Sequence, residues 1–135
     1  MSSSLLVNFA RVASNDNSAD APQARFAHTC TLVTEPTNQL CVFGGEDKTG
    51  MWTNDFFIAN LNESNLVADL KWKKVASSPD LVLPRRDSHT AIVYKQKLYV
   101  FGGATSVLRD ELKHQLYCCD LESRKWSLVD VSSSS

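Results

Sequence analysis

Short apolar runs separated by turn residues recur along this chain, and they recur twice in the same order. Leu40-Cys-Val-Phe43 and Leu98-Tyr-Val-Phe101 each end in a glycine pair, Gly44-Gly45 and Gly102-Gly103. Upstream of each lies Arg-x-x-His, at Arg25 to His28 and at Arg86 to His89, followed by a run rich in Thr, Val, Leu and Ile. Downstream, Phe56 to Leu61 matches Leu116 to Leu121, and Trp72 to Val75 matches Trp126 to Val129. The first copy is longer because Glu35 to Asn38 and Asn62 to Leu70 are inserted at turns, which a stacked repeat tolerates.

Each copy predicts four strands, because the runs are rich in β-branched and aromatic residues and are bounded by turn formers. Strand a covers His28 to Val33 and His89 to Tyr94; strand b covers Leu40 to Phe43 and Leu98 to Phe101. Strand c covers Phe56 to Leu61 and Leu116 to Leu121; strand d covers Trp72 to Val75 and Trp126 to Val129. Strands a and b are nearly continuous in apolar residues, so both of their faces are expected to be buried. Strand d alternates, with Trp72 and Lys74 opposite Lys73 and Val75, as an outer, half-exposed strand does. The Lys71, Lys73 and Lys74 cluster fits a solvated edge. No stretch of useful length has a helical period.

Asn8 to Ser14 aligns with Lys71 to Ser77, with Phe9 in the place of Trp72. The expected organisation is therefore a tail and strand start over 1–8, an orphan outer strand and loop over 9–21, four-stranded units over 22–76 and 77–131, and a Ser tail over 132–135. The two tails are expected to be disordered.

Composition is that of an ordinary globular domain, with 135 residues, 43% hydrophobic, 21% charged and a net charge of −1. That charge builds no basic stripe, so no nucleic-acid partner is expected. The apolar runs are too short for a bilayer, so no membrane partner is expected, and a cytoplasmic location is. Cys30, Cys41, Cys118 and Cys119 form no C-x-x-C pair and are taken as reduced thiols, with no metal and no cofactor implied. The sequon Asn62-Glu-Ser64 is expected to be idle in such a compartment.

The repeat resembles the kelch repeat, whose blade has Arg-x-x-His before strand a, Gly-Gly ending strand b, Tyr in strand c and Trp in strand d. The motif positions are Arg25, His28, Gly44, Gly45 and Trp72, then Arg86, His89, Gly102, Gly103, Tyr117 and Trp126. Phe57 stands where the first copy would have Tyr, which removes any hydrogen bond from that hydroxyl. The resemblance implies an all-β fold of antiparallel four-stranded propeller blades, here as an incomplete ring. It also implies that strand a is innermost and that each Trp buries against a neighbouring blade. The glycine pairs suit positive φ and close backbone approach.

Kelch propellers commonly dock a protein on the d–a and b–c loops. Those loops hold Arg25, Arg85, Arg86 and Arg109 beside Trp52, residue types enriched in binding hot spots. The expectation is a non-enzymatic module that binds a protein through these residues, with an acidic peptide or loop as plausible ligand. The alternative is an accessory or partial domain of a kelch-like enzyme of galactose-oxidase or specifier type. No nucleophile–base pair or phosphate loop supports it, and the repeat accounts for His28 and His89 without a metal. Two units and one strand cannot close a ring of 4–8 blades. The chain is therefore expected to belong to a longer propeller or to assemble with copies of itself.

Overall fold

In the computed structural model, residues 20–61, 70–105 and 114–130 are described. Two four-stranded antiparallel sheets carry the fold. The first contains β2 (Thr29–Val33), β3 (Gln39–Phe43), β5 (Phe56–Asn60) and β6 (Trp72–Val75), in that spatial order. The second repeats it with β8 (Thr90–Tyr94), β9 (Lys97–Phe101), β11 (Leu116–Asp120) and β12 (Lys125–Val129). These are strands a to d, found within a residue or two of their predicted places. The fold is all-β and the sheets do not close, as the repeat implied. The orphan strand expected over 9–21 falls almost entirely outside the described residues, as does the Ser tail.

Two short ladders were not legible as strands. β1 (Arg25–Phe26) pairs with β4 (Glu46–Asp47), and β7 (Arg86–Asp87) pairs with β10 (Ala104–Thr105). They tie each Arg-x-x-His segment to the residues just past its own glycine pair. Two-residue ladders carry too few alternations for a periodicity to show.

Register sorts the side chains. Thr29, Phe43, Phe56 and Val75 stand in one row across the first sheet, so they share a face, which looks toward the second sheet. That face supplies Val33, Cys41, Phe43, Phe56, Ile58 and Val75 to the core. The second sheet answers with Leu98, Val100, Tyr117 and Cys119, and Trp126 packs against this cluster. The core therefore lies between the blades.

The expectation that strands a and b are buried on both faces needs correction. β8 alternates strictly between exposed and half-buried residues, and Ile92 and Tyr94 are 63% and 59% exposed. β9 alternates too, with Leu98 and Val100 buried between exposed Lys97 and Phe101. Of strands a and b, only β3, in the covered first blade, is buried on both faces over Cys41 to Phe43. An apolar run states what a strand tolerates; a neighbouring layer decides whether both faces are used.

At the far end, Lys95 (φ 45°) and Gln96 (φ 60°) make a two-residue hairpin between β8 and β9. Its longer counterpart in the first blade contains the cis bond Glu35–Pro36. Both hairpins accept an equivalent backbone bond from the end of strand c, Leu61 N to Asn38 O at 2.8 Å and Leu121 N to Gln96 O at 3.0 Å.

Candidate interaction surfaces

The motif residues form one device, built twice. Gly44 and Gly45 have φ of 65° and 94°, and Gly102 and Gly103 have 75° and 84°. A Cβ on Gly45 would lie 2.7 Å from Phe26 O, and one on Gly103 would strike the Asp87 carbonyl. Sterics and backbone conformation thus both require glycine at the exit of strand b. The turned backbone exposes the first glycine's carbonyl to the motif arginine.

Arg25 Nη1 donates to Gly44 O at 3.1 Å, and Arg86 Nη1 donates to Gly102 O at 3.0 Å. Each Nε donates to a carbonyl two residues back, Gln23 O or Pro84 O. Each guanidinium covers the strand c aromatic, Arg25 over Phe57 at 5.0 Å and Arg86 over Tyr117 at 4.9 Å. Burial lowers the pKa of both arginines; Asp55 and Asp47 oppose the shift at Arg25, and Tyr117 opposes it at Arg86. Both remain cations at neutral pH.

This corrects the expectation that Arg25 and Arg86 face a partner. Arg86 is 0% exposed and the Arg25 side chain 5%. Their Nε and Nη1 donors go to the chain's own carbonyls, a use that a loop position in the sequence does not reveal. Of the remaining expected contact residues, Arg85 is exposed, Trp52 is half-buried and bridges Glu46, and Arg109 lies outside the described residues.

His89 joins the blades. Its Nε2 shares a hydrogen bond with Thr29 Oγ1 at 2.9 Å, and its ring meets Phe43 edge-on at 5.3 Å. Burial, with Arg86 and then His28 nearby, lowers its pKa to about 4, so it is neutral at pH 7. Trp126 completes the seam, 5.3 Å from Phe43 and 5.6 Å from Phe56. Among the described residues three backbone bonds cross it: Gly45 N to Arg86 O at 2.9 Å, Ser88 N to Ala27 O at 2.9 Å, and Arg86 N to Thr53 O at 3.1 Å. On the outer side of blade 1, His28 is exposed where His89 is buried, while Trp72 is half-buried as Trp126 is. Ala27 and Ser88 both have φ of 53°, a left-handed conformation that their residue types do not advertise.

The b–c loop 46–54 and the d–a loop 77–87 meet at one end of the sheets. Asn54 Nδ2 donates to Leu83 O at 2.8 Å, and Arg25 Nη1 reaches Thr53 Oγ1 at 3.2 Å. Asp47 shapes the loop tip by accepting from Thr49 N, Thr49 Oγ1 and Met51 N, and those bonds hold its carboxyl below the ordinary range. Above this base Met51 is 53% exposed and Val82 61%. Sequence reasoning passed over both, since an apolar residue in a loop carries no motif.

The thiols of Cys41 and Cys119 are pushed up to about 12, chiefly by burial, so neither is a ready nucleophile. Among the described residues, no three His, Cys, Asp or Glu side chains converge as metal ligands, and no helix is long and apolar enough to cross a membrane.

Comparison with known proteins adds to this geometry. The family model "KLHDC2/KLHL20/DRC7 Kelch-repeats domain" matches residues 7–135. Putative protein tag-53 of Caenorhabditis elegans is 35% identical over 120 residues, covering 80% of this chain and 8% of that protein. The tRNA wybutosine-synthesizing protein 2/3/4 of Oryza sativa subsp. japonica is 32% identical over 109 residues, covering 81% and 9%. Host cell factor 1 of Homo sapiens is 27% identical over 122 residues, covering 80% and 6%. The chain thus spans less than a tenth of the length of these relatives.

Proposed function

This chain belongs to the kelch-repeat family, and on that premise we propose that it is a non-catalytic protein-interaction module docking a partner on the rim formed by loops 46–54 and 77–87. One observation carries the proposal. The two loops are hydrogen-bonded to each other through Asn54 and Leu83, the first is bonded also to Arg25, and on that base Met51, Val82 and Arg85 are exposed and Trp52 half-buried. A rigid base lowers the entropy lost on docking, and apolar groups ringed by polar ones are what an interface core needs.

The rim is less basic than the sequence implied, because Arg25 and Arg86 are withdrawn from it. Arg85 and Lys48 remain exposed. This combination suits a partner segment that places an apolar side chain on Met51 and Val82 and an acidic one near Arg85. The proposed setting is cytoplasmic.

The enzyme alternative has one point in its favour, the similarity to a protein named for wybutosine synthesis. The matched stretch is 9% of that protein, and the repeat accounts for the residues matched here. The test is a triple substitution, Met51→Ser, Trp52→Ala and Val82→Ser, with binding and thermal melting measured together on a partner captured from the source cell. Loss of two central contacts weakens binding by about thirtyfold or more at roughly 2 kcal/mol. A triple variant that melts and binds as the wild type does refutes the rim.

A further inference from the structure

The insertion Glu35 to Asn38 takes no part in the rim, which lies at the other end of the sheets. It lengthens the hairpin between β2 and β3, residues 34–38, against the two-residue turn Lys95–Gln96 between β8 and β9. Between the longer hairpin on one side and, on the other, the shorter one with the turn that follows β11, a cleft of about 370 Å³ opens. Val33 and Leu121, 4% and 8% exposed, are its buried apolar lining, and Pro36 lines it from the inserted hairpin. Glu35 of blade 1 and Glu122 of blade 2 also line it and are exposed, as is Gln96.

Both walls stand on fixed backbone. Leu61 N holds Asn38 O at the base of the inserted hairpin, and Leu121 N holds Gln96 O across the cleft's other wall. Asp120 Oδ1 accepts from Glu122 N at 3.1 Å and Ser123 N at 2.8 Å, which sets the turn that carries Glu122. Such a preformed site loses little entropy when it is filled. Among the described residues that line the cleft, two are carboxylates and none is a cation. The neighbouring cations lie apart from it: Lys95 Nζ sits over the Tyr94 ring at 5.3 Å, and Lys97 stands opposite Asp120 in the β9–β11 ladder. Both walls belong to the covered seam of this chain, so the cleft needs no further blade to exist.

We propose that this cleft docks an arginine side chain of a protein partner, its guanidinium held by Glu35 and Glu122 and its methylene stem laid on Pro36 and Leu121. Carboxylates over an apolar lining complement a side chain that is apolar along its stem and charged at its tip. The planar guanidinium has five donors, enough to serve two carboxylates on different walls and the Gln96 amide oxygen together. A lysine ammonium concentrates three donors on one atom and fits such a spread of acceptors less well. The volume lies within the roughly 300–1,000 Å³ of pockets that hold ligands. The rim at the opposite end suits an acidic segment, so the two sites stand or fall separately.

The probe is the blocked tripeptide acetyl-Ala-Arg-Ala-amide, titrated at low salt into the isotope-labelled full chain while backbone amide shifts are followed by NMR. Saturable shifts are expected at Thr37, Gln96, Leu121 and Glu122, with a dissociation constant of about 1 mM, since exposed ion pairs are individually weak. The double variant Glu35→Gln, Glu122→Gln keeps the shape of both walls and loses their charge; both side chains are exposed, so it folds, and melting confirms that first. It is expected to bind the peptide about tenfold more weakly. The same peptide with citrulline in place of arginine, which has the shape without the charge, is expected to bind the wild type as weakly. No saturable shift at these four amides overturns the proposal. So does a double variant that binds as the wild type does, or a citrulline or lysine peptide that binds as the arginine peptide does. Free L-arginine binding as tightly as the peptide would make the cleft a small-molecule site and overturn partner docking.

Discussion

Phe43 and Phe101 end the same strand of the same repeat, each just before a glycine pair, yet one is 1% exposed and the other 47%. Nothing in the two residues or their immediate neighbours in the chain accounts for that. Blade 1 has His89 and Trp126 laid over it, and blade 2 has no described residue in the same place. The motif provides a surface that can be buried, and the next blade in line buries it.

The arginine niches teach a second lesson. In blade 2 Tyr117 lies under Arg86, and its hydroxyl donates to Gln115 Oε1 at 2.7 Å. In blade 1 Phe57 has no hydroxyl, but Asp55 stands at the position equivalent to Gln115. Its carboxylate lies 4.0 Å from Arg25 and 2.8 Å from Lys74. The loss of the hydroxyl is thus offset by a charge two residues earlier, just before the same strand. Among the described residues Arg86 has no carboxylate in reach, and its Nη2 is buried without an acceptor. The two niches hold the same cation by different electrostatics.

The sharpest way to break the first comparison is a matched pair of truncations. Phe43→Ala is expected to cost about 3–5 kcal/mol, as a buried aromatic does. Phe101→Ala is expected to cost about 1 kcal/mol or less, as at a half-exposed site. Urea denaturation reads both. Equal costs would mean that the face of blade 2 around Phe101 is covered in solution.

Acid separates the two motif histidines. The folded pKa of His89 is about 4 against an ordinary 6.5, so the folded protein holds fewer protons than the unfolded chain between those values. Its contribution is complete above pH 6.5 and is lost as pH falls from 6.5 through 4, by up to about 3 kcal/mol. His28 is also lowered, by burial and then Arg25, and contributes in the same direction. Unfolding free energies measured from pH 7.5 to pH 4 are expected to fall less steeply in His89→Gln than in the wild type, while His28→Gln keeps most of the wild-type slope. Carboxylates such as Asp47 and Asp120 titrate alike in all three, so only the difference between curves bears on histidine. Indistinguishable curves for His89→Gln and wild type would remove His89 from the seam.

Phe57→Tyr makes the smallest change and probes the niches. The new hydroxyl stands as Tyr117 does, with Asp55 in the place of Gln115, so a hydrogen bond is available to offset its burial. The expected change in stability is within about 1 kcal/mol of zero. A loss of several kcal/mol in thermal or urea melting would show that the blade 1 niche is closed to a polar group, and that Asp55 is not the counterpart of Gln115.

The sequence alone determined what depends on local conformation and on alternation along the chain. The eight long strands, their order within each blade and the positive φ of Gly44 and Gly102 were all legible, because a glycine pair after an apolar run admits few backbone solutions. The short ladder at Arg25–Phe26 and the left-handed Ala27 and Ser88 were not, because each depends on one hydrogen-bonded partner distant in sequence. Tertiary structure alone decided burial. It turned Arg25 and Arg86 from expected contacts into interior struts, left Met51 and Val82 on the rim, and covered one blade face while leaving its twin open. The physical reason is that a guanidinium satisfies its donors as well on backbone carbonyls as on a partner, and an apolar strand folds as well with one face covered as with two. Neighbours in space make that choice, and the repeat motif is the same either way.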